Sequence, residues 1–281
     1  MNGDGAWTYL LLSFAAAGLV GALCGSAGVW LVLRRQALVG DAVAHSTLAG
    51  IAGAFLLSGQ QDPLVLLAGA LATGLASMGC LELLARDGRI RPDAALALTL
   101  SSFFGLGTVL MGWVSSSPSG AQAGLSGFLL GNAAGVRGTD VVLLAAVTLL
   151  AAVAMPASYR ALVLSTFDPT LAKLAGWRPH RIRLVLLLAL TVVIVLSVRL
   201  VGVVMVSAML VIPAQTGLVR ARSAAAAMAV AGVCGAVAAL AGTAVSVQFS
   251  GVATGPVMVV SAAVLLLAES LRWRLSHGRW R

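Results

Sequence analysis

In the stretch GDAVAHS (Gly40 to Ser46) a carboxylate, Asp41, and an imidazole, His45, stand four residues apart in a sequence that is otherwise almost continuously apolar. On a helix this spacing puts both on one face, with Cβ atoms about 6 Å apart. The pair offers one hard oxygen and one borderline nitrogen to a single point, a combination suited to Mn²⁺, Zn²⁺ or Fe²⁺. An ionisable group in hydrocarbon costs about 2.5 kcal/mol or more, so such a pair is a functional candidate by default. Residue types alone leave two other roles open. Asp41 after Gly40 can cap a helix N-terminus with His45 bonding back to it, or the two can serve an intramembrane enzyme as acid and base. Two ligands are also fewer than the usual four or more, and no third polar group is evident beside them. A second copy of the chain across a two-fold axis would supply the missing pair.

The elements that must hold this pair are set by composition. With 60% hydrophobic and 10% charged residues among 281, and a mean hydropathy of +1.02, the chain reads as an all-α, polytopic membrane bundle of about eight or nine spans. Apolar runs place nine passes at roughly 8–33, 37–57, 62–85, 94–113, 140–157, 184–198, 202–219, 224–247 and 255–271, at about 20 residues per crossing. The long run from 184 to 219 is divided between Arg199 and Gly202. The segment GLSGFLLGN (Gly124 to Asn132) is too short to cross and reads as re-entrant or interfacial. MNGDGAWTYLLLSF lacks the basic start of a cleavable signal, so its apolar run is expected to be retained as a span. No internal repeat is apparent, and residues 1–281 read as a single transmembrane domain.

The net charge of +9 does not point to nucleic acid, because the basic residues sit in short loops. With the N-terminus outside, sixteen of the eighteen fall on the inner side, and only Arg137 and Arg199 fall outside. That asymmetry predicts an outer N-terminus and a cytoplasmic C-terminus. It also puts Asp41, six residues beyond Arg35, nearer the cytoplasmic face than mid-membrane unless the second span is tilted or broken. Cys24, Cys80 and Cys234 lie far apart and read as packing residues. Small residues four apart, Gly21 with Gly25 and Gly131 with Gly135, read as close helix contacts.

LVLRRQALVGDAVAHSTLAGIAGAFLL (Leu31 to Leu57) resembles the signature region of the ABC-3 family, permease subunits of bacterial importers for manganese, zinc and iron. STFDPTLAKLAGW (Ser165 to Trp177), VGVVMVSAMLVIPAQTG (Val201 to Gly217) and ATGPVMVVSAAVLLL (Ala253 to Leu267) resemble later family blocks in the same order. The resemblance implies a type II importer permease in the bacterial inner membrane that pairs with a second permease subunit, identical or different, within membrane lipid. It also implies a cytoplasmic ABC ATPase subunit, an extracytoplasmic metal-binding protein, and no permanently bound cofactor. Asp41 and His45 match the family's Asp and His, which implies that they line the path of transported Mn²⁺ or Zn²⁺, or of Fe²⁺. Ala49 stands where many members have proline, and Gln215 where a small residue is common.

Two further segments carry a physical reading. In Phe167 to Trp177, Asp168 suits an N-cap, Pro169 the first helical position, Leu171 and Leu174 share a face, and Gly176 can close the helix. A two-turn helix of this kind needs a partner. An ATPase groove facing Phe167, Leu171 and Leu174 is one receiver, with 160–183 as the coupling segment, and the lipid headgroup layer is the other. Pro213 is expected to kink its span as a gate, freeing a carbonyl one turn earlier that Gln215 or Thr216 would satisfy. Met205 and Met209 offer soft sulfur, though packing suits them better. The chain has no GxxxxGK loop and cannot bind ATP in that manner, and it has neither HExxH nor GxSxG. An ion-coupled carrier would bring internal repeats that are not seen.

Overall fold

The computed structural model describes residues 3–86, 88–116, 131, 138–249 and 252–277. Among them ten helices follow one another: α1 (Gly3–Leu33), α2 (Ala37–Ser58), α3 (Pro63–Arg86), α4 (Pro92–Ser116), α5 (Gly138–Phe167), α6 (Pro169–Leu174), α7 (Pro179–Val201), α8 (Val203–Arg220), α9 (Ala224–Gln248) and α10 (Thr254–His277). All but the six-residue α6 are long and apolar enough to cross a membrane. They correspond one to one with the nine apolar runs. The segment 124–132, read as re-entrant, lies outside the described residues except for Gly131.

The division of the 184–219 run falls at Gly202, whose φ of 93° and ψ of 153° belong to a region that in effect only glycine occupies. There α7 stops and α8 starts without a loop, and the Gly202 carbonyl accepts from the Val206 amide. Elsewhere a proline fails to end a helix. Pro156 lies inside α5, which runs ten residues beyond the expected boundary at 157. The polar residues after 157 end the apolar run without ending the helix.

The core is contiguous, and its fully buried large side chains include Leu23, Trp30, Leu31, Ile51, Leu187, Ile194, Met209, Leu210 and Met258. Helices α1, α2, α7 and α8 fill the middle. By contrast α4 and α5 lie at the margin with Leu106, Val109, Trp113, Leu149 and Leu150 exposed.

Without a hydrophobic drive between helices in lipid, close approach comes from small residues. Helices α1 and α9 run antiparallel in this way: a methyl group on Gly21 would lie 2.2 Å from the Gly235 carbonyl oxygen, and one on Gly25 would lie 2.2 Å from that of Ala231. The expected role of Gly21 and Gly25 is met, and their partners are backbone. Gly50 and Gly69 bring α2 and α3 together similarly, at 2.1 Å and 2.4 Å. Overpacking such a contact costs about 1–3 kcal/mol or more. Gly25→Val is expected to lower the thermal midpoint of the detergent-solubilised protein by several degrees, read by size-exclusion after heating. Gly79→Ala, which meets nothing within 4 Å, leaves the midpoint unchanged or slightly higher.

Candidate metal site

Helix α2 begins at Ala37, preceded by Gln36, which makes no side-chain cap. Asp41 is therefore the fifth helical residue, and the capping role open to it from sequence is excluded. Its Oδ1 atom accepts from Ser207 Oγ of α8 at 3.2 Å and lies 3.4 Å from His45 Nε2. Two ligands bound at about 2.0–2.1 Å to one tetrahedral ion stand about 3.3–3.4 Å apart. The pair is thus already spaced for a shared ion. The His45 Nδ1 atom is buried and has no hydrogen-bond partner among the described residues. The edge-to-face Phe104 ring closes one side, with ring centres 4.9 Å apart. Ser207 is the third polar group that the sequence did not reveal. No cluster of three or more His, Cys, Asp and Glu side chains occurs among the described residues.

The depth of the pair follows from helix stagger. A methyl group on Gly74 would sit 3.1 Å from Thr191 Cγ2 and 3.6 Å from Val43 Cγ1, so these three residues share one level. Gly74 is twelve residues from the end of α3, and Thr191 is twelve from the start of α7, about 18 Å at about 1.5 Å per residue. Val43 is only six residues, about 9 Å, into α2. Helix α2 therefore starts about 9 Å inside the ends of its neighbours, and Asp41 and His45 fall near mid-height. The shallow placement expected from the distance to Arg35 is corrected by a recessed turn between α1 and α2, without any break in α2.

That recessed turn belongs to the end of the bundle where most of the basic residues gather. Arg34 donates through Nε to Thr166 Oγ1 at 3.1 Å and through Nη2 to Ser165 Oγ at 2.8 Å. Burial, and then the nearby Arg183, lower its pKa from the ordinary arginine value. Arg183 pairs with Glu82 at 2.8 Å, and Arg220 with Glu269 at 2.9 Å. At the opposite end Arg199 pairs with Asp140.

At the basic end, α6 is built as its sequence requires. Asp168 Oδ1 accepts from the Thr170 and Leu171 amides at 3.1 Å and 2.9 Å, and Pro169 occupies the first turn. The Gly176 amide donates to the Lys173 carbonyl and the Trp177 amide to that of Ala172. With φ of 81° at Gly176, this is a Schellman ending. Ala172 is buried, while Phe167, Leu171, Leu174 and Trp177 are exposed at 63%, 49%, 81% and 45%. The apolar face of α6 is left for something else to cover.

Pro213 lies inside an uninterrupted α8. The polar neighbours do not act as expected, since the Thr216 hydroxyl donates to the Ile212 carbonyl at 3.1 Å and Gln215 is exposed. Met209 is fully buried and Met205 packs against the core, in the packing role. Cys24 is buried beside Ser197, whereas Cys80 and Cys234 are only partly buried.

The profile of the ABC 3 transport family matches residues 6–272. The manganese transport system membrane protein MntC of Bacillus subtilis is 34% identical over 249 residues, which are 89% of this chain and 57% of that protein. The chain thus spans little more than half the length of that relative. The zinc transport system membrane protein TroC of Treponema pallidum is 37% identical over 236 residues, 84% of this chain and 79% of that one. Among solved structures, PsaBC from Streptococcus pneumoniae in complex with Fab superposes with a TM-score of 0.82 at 28% identity, covering 96% of this chain and 95% of that one. An inward-facing putative metal-chelate type ABC transporter, with a TM-score of 0.73 at 17% identity over 93% and 85% of the two chains, shares the fold.

Removing the cap of α6 is expected to be felt locally. Asp168→Ala costs about 1 kcal/mol and speeds hydrogen exchange at the Thr170 and Leu171 amides in the detergent-solubilised protein, whereas Asp168→Asn leaves both near wild type.

Proposed function

The chain belongs to the ABC 3 transport family, and on that footing we propose that it is the membrane-spanning subunit of an ATP-binding cassette importer carrying manganese or zinc, and by the same ligand chemistry iron, into the cytoplasm. The subunit is not an enzyme, and ATP hydrolysis belongs to a separate partner. The observation that carries the choice of cargo is the Asp41 and His45 pair, set at mid-height with its oxygen and nitrogen 3.4 Å apart. The relatives' manganese and zinc transport systems support the same chemistry.

In this reading an extracytoplasmic metal-binding protein presents the ion at the outer mouth. Asp41 and His45 take it up, and Ser207 gives up its bond to Asp41 as the metal arrives. A second permease subunit, identical or related, completes the coordination. The exposed face of α6, with Phe167, Leu171 and Leu174, seats in a groove of the cytoplasmic ATPase, and residues 160–183 form the coupling segment of the single transmembrane domain. Concentration of basic residues at that end supports a cytoplasmic C-terminus, an outer N-terminus and residence in a bacterial cell membrane. Pro213 in α8, below Ser207, is the place proposed for a gate.

The test is ATP-dependent accumulation of manganese and of zinc in proteoliposomes holding the permease with its ATPase, with the binding protein outside. His45→Ala is expected to lower accumulation at limiting metal at least tenfold while the complex stays assembled, and unchanged accumulation rejects the pair as the ion path. Leu171→Asp with Leu174→Asp is expected to abolish co-purification of the ATPase. Retention of the ATPase by that variant moves the docking surface elsewhere.

A further inference from the structure

We propose that Arg34 is a positioning residue that transmits movement of α6 to the metal-bearing helix α2, an inference that rests on reading the chain as an ATP-driven importer. Arg34 lies in the three-residue turn between α1 and α2, seven residues before Asp41. Its guanidinium grips the last turn of α5 as a fork. Nε reaches Thr166 Oγ1 at 3.1 Å and Nη2 reaches Ser165 Oγ at 2.8 Å. Both hydroxyls spend their own protons on the Leu162 carbonyl, at 2.6 Å from Thr166 and 3.1 Å from Ser165. Their oxygens therefore face Arg34 as acceptors, and the fork has a fixed geometry.

The two ends of this fork are joined to α6 and to α2 by short, stiff chain. On one side Thr166 is two residues from Asp168, the N-cap of α6, so a displaced α6 pulls directly on the acceptors. On the other side the turn is tightly closed. The Arg35 amide donates to the Val32 carbonyl at 3.0 Å and the Gln36 amide to that of Leu31 at 2.8 Å. Arg35 itself holds the left-handed conformation at φ 57°, where a side chain is strained. A turn without slack passes a displacement on to α2 as a rigid body.

The chemistry of the grip also suits a linkage. Among the described residues the fork closes on two neutral hydroxyls, and the nearby Arg183 is itself engaged by Glu82. Both bonds are charge-assisted on the donor side, and no carboxylate competes for the guanidinium among the described residues, so the fork stays closed as α6 moves and carries the displacement to the turn. The recessed turn places Arg34 at the foot of the helix that carries the pair, with only Arg35 and Gln36 between.

The experiment measures ATP hydrolysis and ATP-dependent manganese and zinc accumulation on the same proteoliposomes for wild type, Arg34→Ala, Arg34→Lys and the double variant Ser165→Ala with Thr166→Val. If wild type accumulates neither metal, the importer reading falls, and this inference with it. With wild type active, Arg34→Ala and the double variant are expected to keep hydrolysis within about twofold. Accumulation falls about tenfold, so ions moved per ATP collapse, and Arg34→Lys recovers part of the ratio. A parallel fall of hydrolysis and accumulation in assembled complexes, or an unchanged ratio, overturns the linkage. Where Arg34→Ala does not assemble, the double variant, which keeps the arginine, decides by the same ratio.

Discussion

A carboxylate set at mid-height in an apolar bundle must be met by polar groups or by charge, and much of this structure serves that requirement. Asp41 is met by His45 on its own helix and by Ser207 from α8. Ser207 stands opposite because α8 starts at Val203, and α8 starts there because Gly202 takes a backbone conformation closed to other residues. A glycine far from Asp41 in sequence therefore fixes the partner of Asp41. The stagger of α2 does the rest, since a start recessed by about 9 Å carries the fifth residue of the helix to the level where neighbouring helices are widely buried.

The same stagger explains why charge reaches the basic end of the bundle in an unusual form. Arg89, Arg91, Arg178 and Arg222 lie in loops beyond the helices at that end, but the turn between α1 and α2 is recessed from those loops, and Arg34 with it. A guanidinium in that position keeps its charge and donates hydrogen bonds to the nearest hydroxyls, those of Ser165 and Thr166. The recess that deepens the acid and imidazole pair thus also brings the chain just before it into contact with the junction of α5 and α6. Depth of the site and its tie to α6 are two consequences of one helix start.

What could be read from the sequence follows the range of the forces involved. Nine spans, and the break at Gly202, are dictated by hydrocarbon thickness and by glycine's freedom, both local to the chain. The cap and Schellman ending of α6 are likewise fixed by residues within one turn of each other. Ser207 left no trace, because a serine in a membrane helix can bond to its own backbone, and its pairing with Asp41 spans 166 positions. Nor could the depth of Asp41 be counted from Arg35, since counting assumes that all helices end at one plane. The cap left open as an alternative role for Asp41 is excluded for a related reason: Gly40 looks like a boundary in sequence, but Leu31 and Leu210 pack beside it and the helix runs through.

On the proposed reading, a pair that is incomplete by itself is what transport would need. An ion enclosed by four strong ligands from one chain would be held as a structural metal is, and would leave slowly. Conduction needs binding favourable enough to enter and weak enough to leave. On that reading Asp41 and His45 would provide two ligands at nearly the right separation, Ser207 would provide a neutral oxygen that keeps the carboxylate occupied until a cation displaces it, and Phe104 walls one side with apolar surface. In such surroundings the interaction of a doubly charged ion with one carboxylate is strong, so the remaining ligands must come from elements that can withdraw. The second subunit proposed above would satisfy that condition, because movement between two chains can remove half of the coordination without disturbing either helix α2.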